Sequence, residues 1–385
     1  MSPYDQCSTN IDCGCLPLTI SNDSGLCGFL RIKCSHLKPC EMPDDYCKNL
    51  DHVCVHYPRC HYVSVCYPLS MIDQRICPPK ITSPLSPKPK GNICSTATWA
   101  QHGITIIGGT SYEGPSVDLD FPQGMFIDEN QTIYIADTGN HRVIKWKQDA
   151  SSVEIITDGN DKENINTCGS SKPFDVVVDK NGTIYIAYLT INQVQKWIRG
   201  ADRGETMINI HSPLSIAIDN EESIYVSSMS SSKLKKYRKG VTYGQVLMSG
   251  EVGPFPLTVD RHRSVYMVDM YHDRILKIDE GKRTISVVVD GSEHSGTHRL
   301  SKPHSIAVDE SGALYITEWG NHRITRWLPG STNGIVIVGD RGSGSHSNQL
   351  HNPTDLGFDS EGNLYVVDGK NGRIQKFLID NSSCQ

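Results

Sequence analysis

Six times along the chain a proline is followed six residues later by an aspartate and, after six more, by a tyrosine: Pro122, Asp128, Tyr134; Pro173, Asp179, Tyr185; Pro213, Asp219, Tyr225; Pro254, Asp260, Tyr266; Pro303, Asp309, Tyr315; Pro353, Asp359, Tyr365. Twelve residues past each tyrosine stands another large side chain, Trp146, Trp197, Tyr237, Ile278, Trp327 or Phe377. Units of about 40 to 50 residues that hold one register mark a radial or stacked array. Such arrays bind with the loops of one face, so the repeat bears on function as well as on fold.

Within the first unit the text after Pro122 reads Met125-Phe126-Ile127, an Asp-Glu-Asn-Gln turn, then Ile133-Tyr134-Ile135. Two more runs of strand length follow, Arg142 to Trp146 and Val153 to Ile156. Short β-branched and aromatic runs broken by Asp, Asn and Gly are strands joined by hairpins. Four antiparallel strands per unit make one propeller blade. Amphipathic helical patterns are lacking after residue 95, which sets aside the helical repeats of similar period. Only Leu378 to Gln385 follow Phe377, too few for a turn and a fourth strand, whereas Gly103-Ile104-Thr105-Ile106-Ile107-Gly108-Gly109 stands unattached before the first unit. We therefore expect residues 103–109 to complete the sixth blade and remove the open edge of the ring.

Ala136-Asp137-Thr138-Gly139-Asn140-His141-Arg142-Val143, Trp319-Gly320-Asn321-His322-Arg323-Ile324, and the stretch from Gly339 through Asn348-Gln349-Leu350 to Pro353 resemble NHL repeats. The resemblance covers roughly residues 101 to 381 and implies an all-β, six-bladed propeller of NHL type. It implies ligand, protein or RNA binding in most members, and a zinc lyase in a related branch.

Fourteen cysteines divide unevenly: twelve lie between Cys7 and Cys94, leaving Cys168 and Cys384 within the array. That density is the mark of a small disulfide-stapled module in an oxidising compartment. Paired Cys-x-x-Cys spacing of a zinc module is absent, although His52, His56 and His61 intersperse the cysteines. The expected organisation is a cysteine-rich module over 1–77, a Pro-rich linker over 78–93 and the propeller over 94–385. Pairing of residues 103–109 with the strand ending near Phe377 would bring Cys94 and Cys384 to one corner, where a disulfide would staple the ring. The competing arrangement keeps all twelve cysteines of the head together.

Asn22, Asn130, Asn181 and Asn381 open Asn-x-Ser/Thr sequons and are candidate glycosylation sites. No apolar leader is visible at Met1 to Asp5 and no run reaches the ~18 residues of a membrane span. A secreted or extracellular monomer is the expectation. From residue 95 onward 28 Lys+Arg face 35 Asp+Glu, a poor counter-ion for phosphate, which weighs against nucleic acid. The basic run Lys233 to Lys239 is expected on a solvated strand face.

Three residues after the repeat tyrosine stand Asp137, Tyr188, Ser228, Asp269, Glu318 and Asp368; eight after it, Arg142, Gln193, Lys233, Arg274, Arg323 and Arg373. Units two and three lose acid and arginine together, so Asp137–Arg142, Asp269–Arg274, Glu318–Arg323 and Asp368–Arg373 are expected to be structural ion pairs. In the amidating lyases of this fold, histidines following the blade-opening proline bind metal. Here those positions hold Gln123, Phe174, Leu214, Phe255, His304 and Thr354, one histidine in six. No catalytic residue and no cofactor is expected; zinc or calcium enters only under an alternative, a metal-dependent lyase or hydrolase at the channel mouth. His294, His298 and His304 form a local group best read as loop histidines, and Asp158 to Glu163 fails EF-hand spacing.

On units two to five the face around the channel mouth collects Phe174, Leu189, Leu214, Met229, Phe255, Met270, Tyr271, His304 and Trp319, whereas units one and six offer Gln123, Thr138, Gly139, Thr354, Gly369 and Lys370. An apolar, aromatic and methionine sector rimmed by polar residues is composed as a binding surface. The plainer reading, that Phe174, Leu214 and Phe255 plug the channel, stands beside it. The reading reached is a non-enzymatic recognition scaffold for a peptide, protein or small ligand.

Overall fold

The computed structural model describes residues 93–109, 117–148, 150–158, 171–201, 203–239, 241, 243–250, 256–282, 284–291, 299–382 and 384, and before them 13–17, 25–29, 37–40, 47, 52–56 and 64–68. Cys168, Asn22, Phe255, His294, His298 and all but Asp158 of the acidic loop lie outside them. Two compact units are present, Met1–Lys88 and Pro89–Gln385.

The second unit is a six-bladed, all-β propeller. Each blade is a four-stranded antiparallel sheet, and in blades one to five the strands pair in chain order. Blade one runs Met125–Ile127, Thr132–Asp137, Arg142–Lys147 and Glu154–Thr157. In blade six, Pro353–Phe358, Leu364–Asp368 and Arg373–Phe377 are completed by Ile104–Gly108, which pairs antiparallel with the third strand. The ring therefore closes with a strand from before the first blade, as expected. First strands of successive blades contact one another round the whole axis, blade six returning to blade one.

The repeat now has a physical cause. In every blade the repeat aspartate sits in the hairpin between first and second strands, where one carboxylate oxygen accepts backbone N–H groups two and four residues on, as Asp128 does from Asn130 and Thr132. Its other oxygen accepts the tyrosine hydroxyl six residues on, at 3.0 Å in Tyr225 and Tyr315 and up to 3.5 Å in Tyr134. One aspartate thus ties its turn to the ring packed beneath it. Burial, followed by the charge of that aspartate, drives the hydroxyls of Tyr134 and Tyr185 up to about 12.

Two features depart from expectation. Lys236 of the basic run is buried, 3.3 Å from Asp219 and 4.9 Å above the Tyr225 ring, so only part of that strand faces solvent. The segment after Phe377, too short for a blade strand, makes a small ladder of its own: Ile379–Asp380 pairs with Thr98–Trp99. Trp99 packs there against Tyr315 and Phe358, and the Arg326 guanidinium donates to the Ser95 and Ala97 carbonyls. Cys94 and Cys384, with Cα atoms 5.9 Å apart, are joined by a disulfide across the same corner.

In the first unit, Cys13–Pro17 pairs with Gly25–Phe29, and Ser64–Pro68 pairs with both Lys38–Pro39 and His52–His56. Cys47 is disulfide-bonded to Cys66, and Cys40 is disulfide-bonded too. Oxidised sulfur has no thiolate to offer a metal.

Candidate binding site at the channel

The loop between second and third strands of each blade is held from within. Arg142 Nε lies 2.7 Å from Asp137, Arg274 Nε 2.8 Å from Asp269, Arg323 Nε 3.1 Å from Glu318, and Arg373 Nε 2.8 Å from Asp368. All four carboxylates are fully buried. Asp137 and Asp368 also hold the preceding loop, since Asp120 N–H donates to Asp137 and His351 N–H to Asp368. Blades two and three solve the problem otherwise: the Tyr188 hydroxyl lies 3.4 Å from Thr157 Oγ1, and Ser228 donates to the His211 carbonyl. Each loop ends in one residue of positive φ, His141, Asn192, Ser232, Asp273, His322 or Gly372, a conformation that Asn, Asp and His tolerate better than most side chains.

These loops lie against the start of the next blade. Thr138 Oγ1 donates to the Pro173 carbonyl at 2.7 Å, and Asn352 Nδ2 to the Trp319 carbonyl at 2.8 Å. The loop residues and the residues opening the first strands therefore share one face. Met229 and Tyr271 stand out from it, 42% and 78% exposed. Leu189 and Trp319 are half-buried, with the Lys302 ammonium 5.3 Å over the Trp319 ring. Met270 is half-buried as well and packs partly against the neighbouring core. Leu214 is buried, and with Phe174 and His304 it lines the central cavity.

That cavity, about 190 Å³, is walled by first strands of all six blades. At its wall are two carboxylates the sequence reading passed over, Asp175 and Asp355, two residues after the opening prolines of blades two and six. Asp175 accepts from Ser215 Oγ at 2.8 Å and from the N–H groups of Ile216 and Val176. Asp355 accepts from Ser305 Oγ at 2.6 Å and from the N–H groups of Met125 and Leu356. Each thereby fastens its own blade to the next, and Ser215 does the same toward blade four by accepting from Leu257 N–H at 3.2 Å. Blade one has Gly124 at this position, where a Cβ would stand 2.6 Å from an Asp175 oxygen. Burial raises both carboxyls far above the usual range, each against the pull of its donors, and Asp175 is raised further by the charge of Asp355. Comparing the third residue of each repeat, Gly, Asp, Ser, Pro, Ser and Asp, was the signal that could have found them.

His304 Nδ1 lies 2.7 Å from the Thr354 carbonyl and so carries the proton, leaving Nε2 as an acceptor. Burial lowers its pKa, partly offset by that bond, so the ring is neutral. Gln123 is 4% exposed and its Nε2 has no hydrogen-bond partner. Away from the channel, Asn130 and Asn181 are exposed on hairpin turns and Asn381 is half-buried beside the Cys384 corner.

The family described as NHL repeat matches residues 119–146, 300–327 and 350–377. No curated protein matches the chain in sequence. Among solved structures, a Bacteroides thetaiotaomicron protein of unknown function superposes with a TM-score of 0.59 at 13% identity, covering 98% of this chain and 93% of its own. An auxiliary nutrient binding protein from Bacteroides ovatus gives 0.57 at 16% identity, covering 76% and 75%. A streptogramin B lyase gives 0.53 at 11% identity, covering 74% and 98%. At these identities the likeness is one of fold.

Proposed function

The chain is an NHL-repeat β-propeller, and we propose that it is a secreted, non-enzymatic recognition protein binding a peptide, protein or small ligand across the mouth of blades two to five. The observation that carries this is the exposure of Tyr271 and Met229 at loop tips, next in blade order to half-buried Trp319 and Leu189. Blades one and six place Thr138, Gly139, Gly369 and Lys370 at the corresponding positions. Large rigid side chains beside a polar sector are what a partner buries as hot spots. Clasped loops support the reading, since a surface whose loops are already ordered loses little entropy on binding. Disulfides, and the lack among described residues of a helix able to cross a membrane, are compatible with an extracellular setting.

The test is selection of a displayed random-peptide library on the immobilised chain, with the double variant Tyr271→Ala and Trp319→Ala as counter-target. Selected peptides should lose about 30-fold or more in affinity for the variant, the ~2 kcal/mol of a hot spot. Its melting temperature should stay within about 2 °C of the parent. Equal binding by both proteins, or a variant that melts much earlier, makes these rings packing and removes the proposal. The second reading, a metal-dependent lyase or hydrolase, rests on His304, the single imidazole at its expected positions. Stoichiometric zinc or calcium retained by the purified chain would favour it.

A further inference from the structure

Asp175 and Asp355 differ from every acid of the clasped loops in having no cation. Among the described residues, no lysine or arginine lines the channel cavity. Both carboxylates reach the same short segment of blade one: Asp355 accepts from Met125 N–H, and Asp175 lies against Gly124. A carboxylate has about four acceptor positions, and the bonds described occupy three on each. What the cavity still offers is one position on each acid, the free Nε2 lone pair of neutral His304, and the unpartnered N–H₂ of buried Gln123. Three acceptors and one donor face a space of about 190 Å³, larger than a single water requires.

The complement of three acceptors is a group with three N–H bonds and a positive charge. The complement of the one donor is an acceptor oxygen a few bonds away. We propose that the channel is a binding site for a primary ammonium with a neighbouring carbonyl, the chemistry of a peptide's amino-terminal residue. Its ammonium is received between Asp175, Asp355 and His304, and its carbonyl by Gln123. Charge favours this occupant over a neutral one, since an ammonium beside Asp175 and Asp355 displaces the protons that burial holds on them and supplies the counter-charge that the chain does not. The unpartnered Gln123 amide favours a ligand with its own acceptor over a bare cation. This deepens the mouth reading by naming what a bound peptide would insert, and relies on that reading only for the route of entry.

Glycinamide is the probe, because it carries both groups and is too small to touch Tyr271 or Trp319. Titrated at pH 7 into the full chain, it should bind saturably and raise the melting temperature. Propionamide, which lacks the ammonium, and methylammonium, which lacks the carbonyl, should each bind at least tenfold more weakly. The double variant Asp175→Asn and Asp355→Asn should lose glycinamide binding tenfold or more; if it does not fold, Gln123→Met supplies the comparison and should close the gap between glycinamide and methylammonium. Binding of propionamide equal to that of glycinamide, no binding of glycinamide, or saturable stabilisation by calcium or zinc alone with none by the amine overturns the proposal. Failure here leaves the Tyr271 and Trp319 experiment untouched, and the converse holds too.

Discussion

Two sets of acids sit in the same propeller, one fully buried beneath the loops and one half-buried at the channel wall, and they are held in opposite ways. Asp137, Asp269, Glu318 and Asp368 each face an arginine five residues on, and their charge closes a loop. Asp175 and Asp355 are held by hydroxyls and backbone N–H groups alone, and burial raises their carboxyls. The lesson is that a carboxylate given its counter-charge locally serves to close a loop, whereas one held only by neutral donors keeps a raised pKa and a different dependence on pH. Removing a partner from the first set should cost stability; removing charge from the second should add it.

The largest effect is expected at Arg373. Besides Asp368 it donates to the carbonyls of Ser345, His346 and Gln349, and it is itself buried. Arg373→Ala leaves a buried charge alone, and urea unfolding should show a loss of about 3–5 kcal/mol. A loss under about 1 kcal/mol would erase the distinction between the two sets. The channel acids should respond with opposite sign. An unfolded aspartate ionises near pH 4, whereas folded Asp175 and Asp355 keep their protons up to about 7 and about 6. Between those limits the native state binds more protons, so stability falls as pH rises through the window and levels off above it. Asp175→Asn should flatten that fall and at pH 8 gain more than about 1.4 kcal/mol, the worth of one pKa unit. A variant that is less stable at pH 8 than at pH 5 relative to the parent contradicts the assignment. The smallest effect is expected at Arg274, which is 30% exposed and shares Asp269 with His272. Arg274→Ala should cost about 1 kcal/mol by urea unfolding, because water and the imidazole remain to solvate the carboxylate. A cost equal to that of Arg373→Ala would mean that burial of the arginine is immaterial.

Much of the fold was legible because its determinants repeat. An aspartate that caps a turn and holds a tyrosine must recur at fixed spacing, and six copies of it write the ring into the sequence. The closing strand was legible by subtraction, since a sixth blade lacking its fourth strand needs one from elsewhere. Asp175 and Asp355 were not, because they break the repeat: their role depends on Ser215, Ser305 and Met125 in other blades, the last of which only closure of the ring brings to Asp355. Lys236 shows how a basic run misleads when an aspartate seventeen residues earlier is folded beneath it.

The disulfide between Cys94 and Cys384 has a mechanical consequence. Tension applied to the chain on either side of the ring runs through this bond and reaches no blade, because the two sulfurs form the shortest covalent path between the points of pulling. Once the bond is reduced, the same pull falls on the short Thr98–Trp99 ladder and then on Ile104–Gly108, whose hydrogen bonds to Arg373–Phe377 are what keep the ring a ring. The corner therefore decides whether the propeller carries load or is bypassed by it.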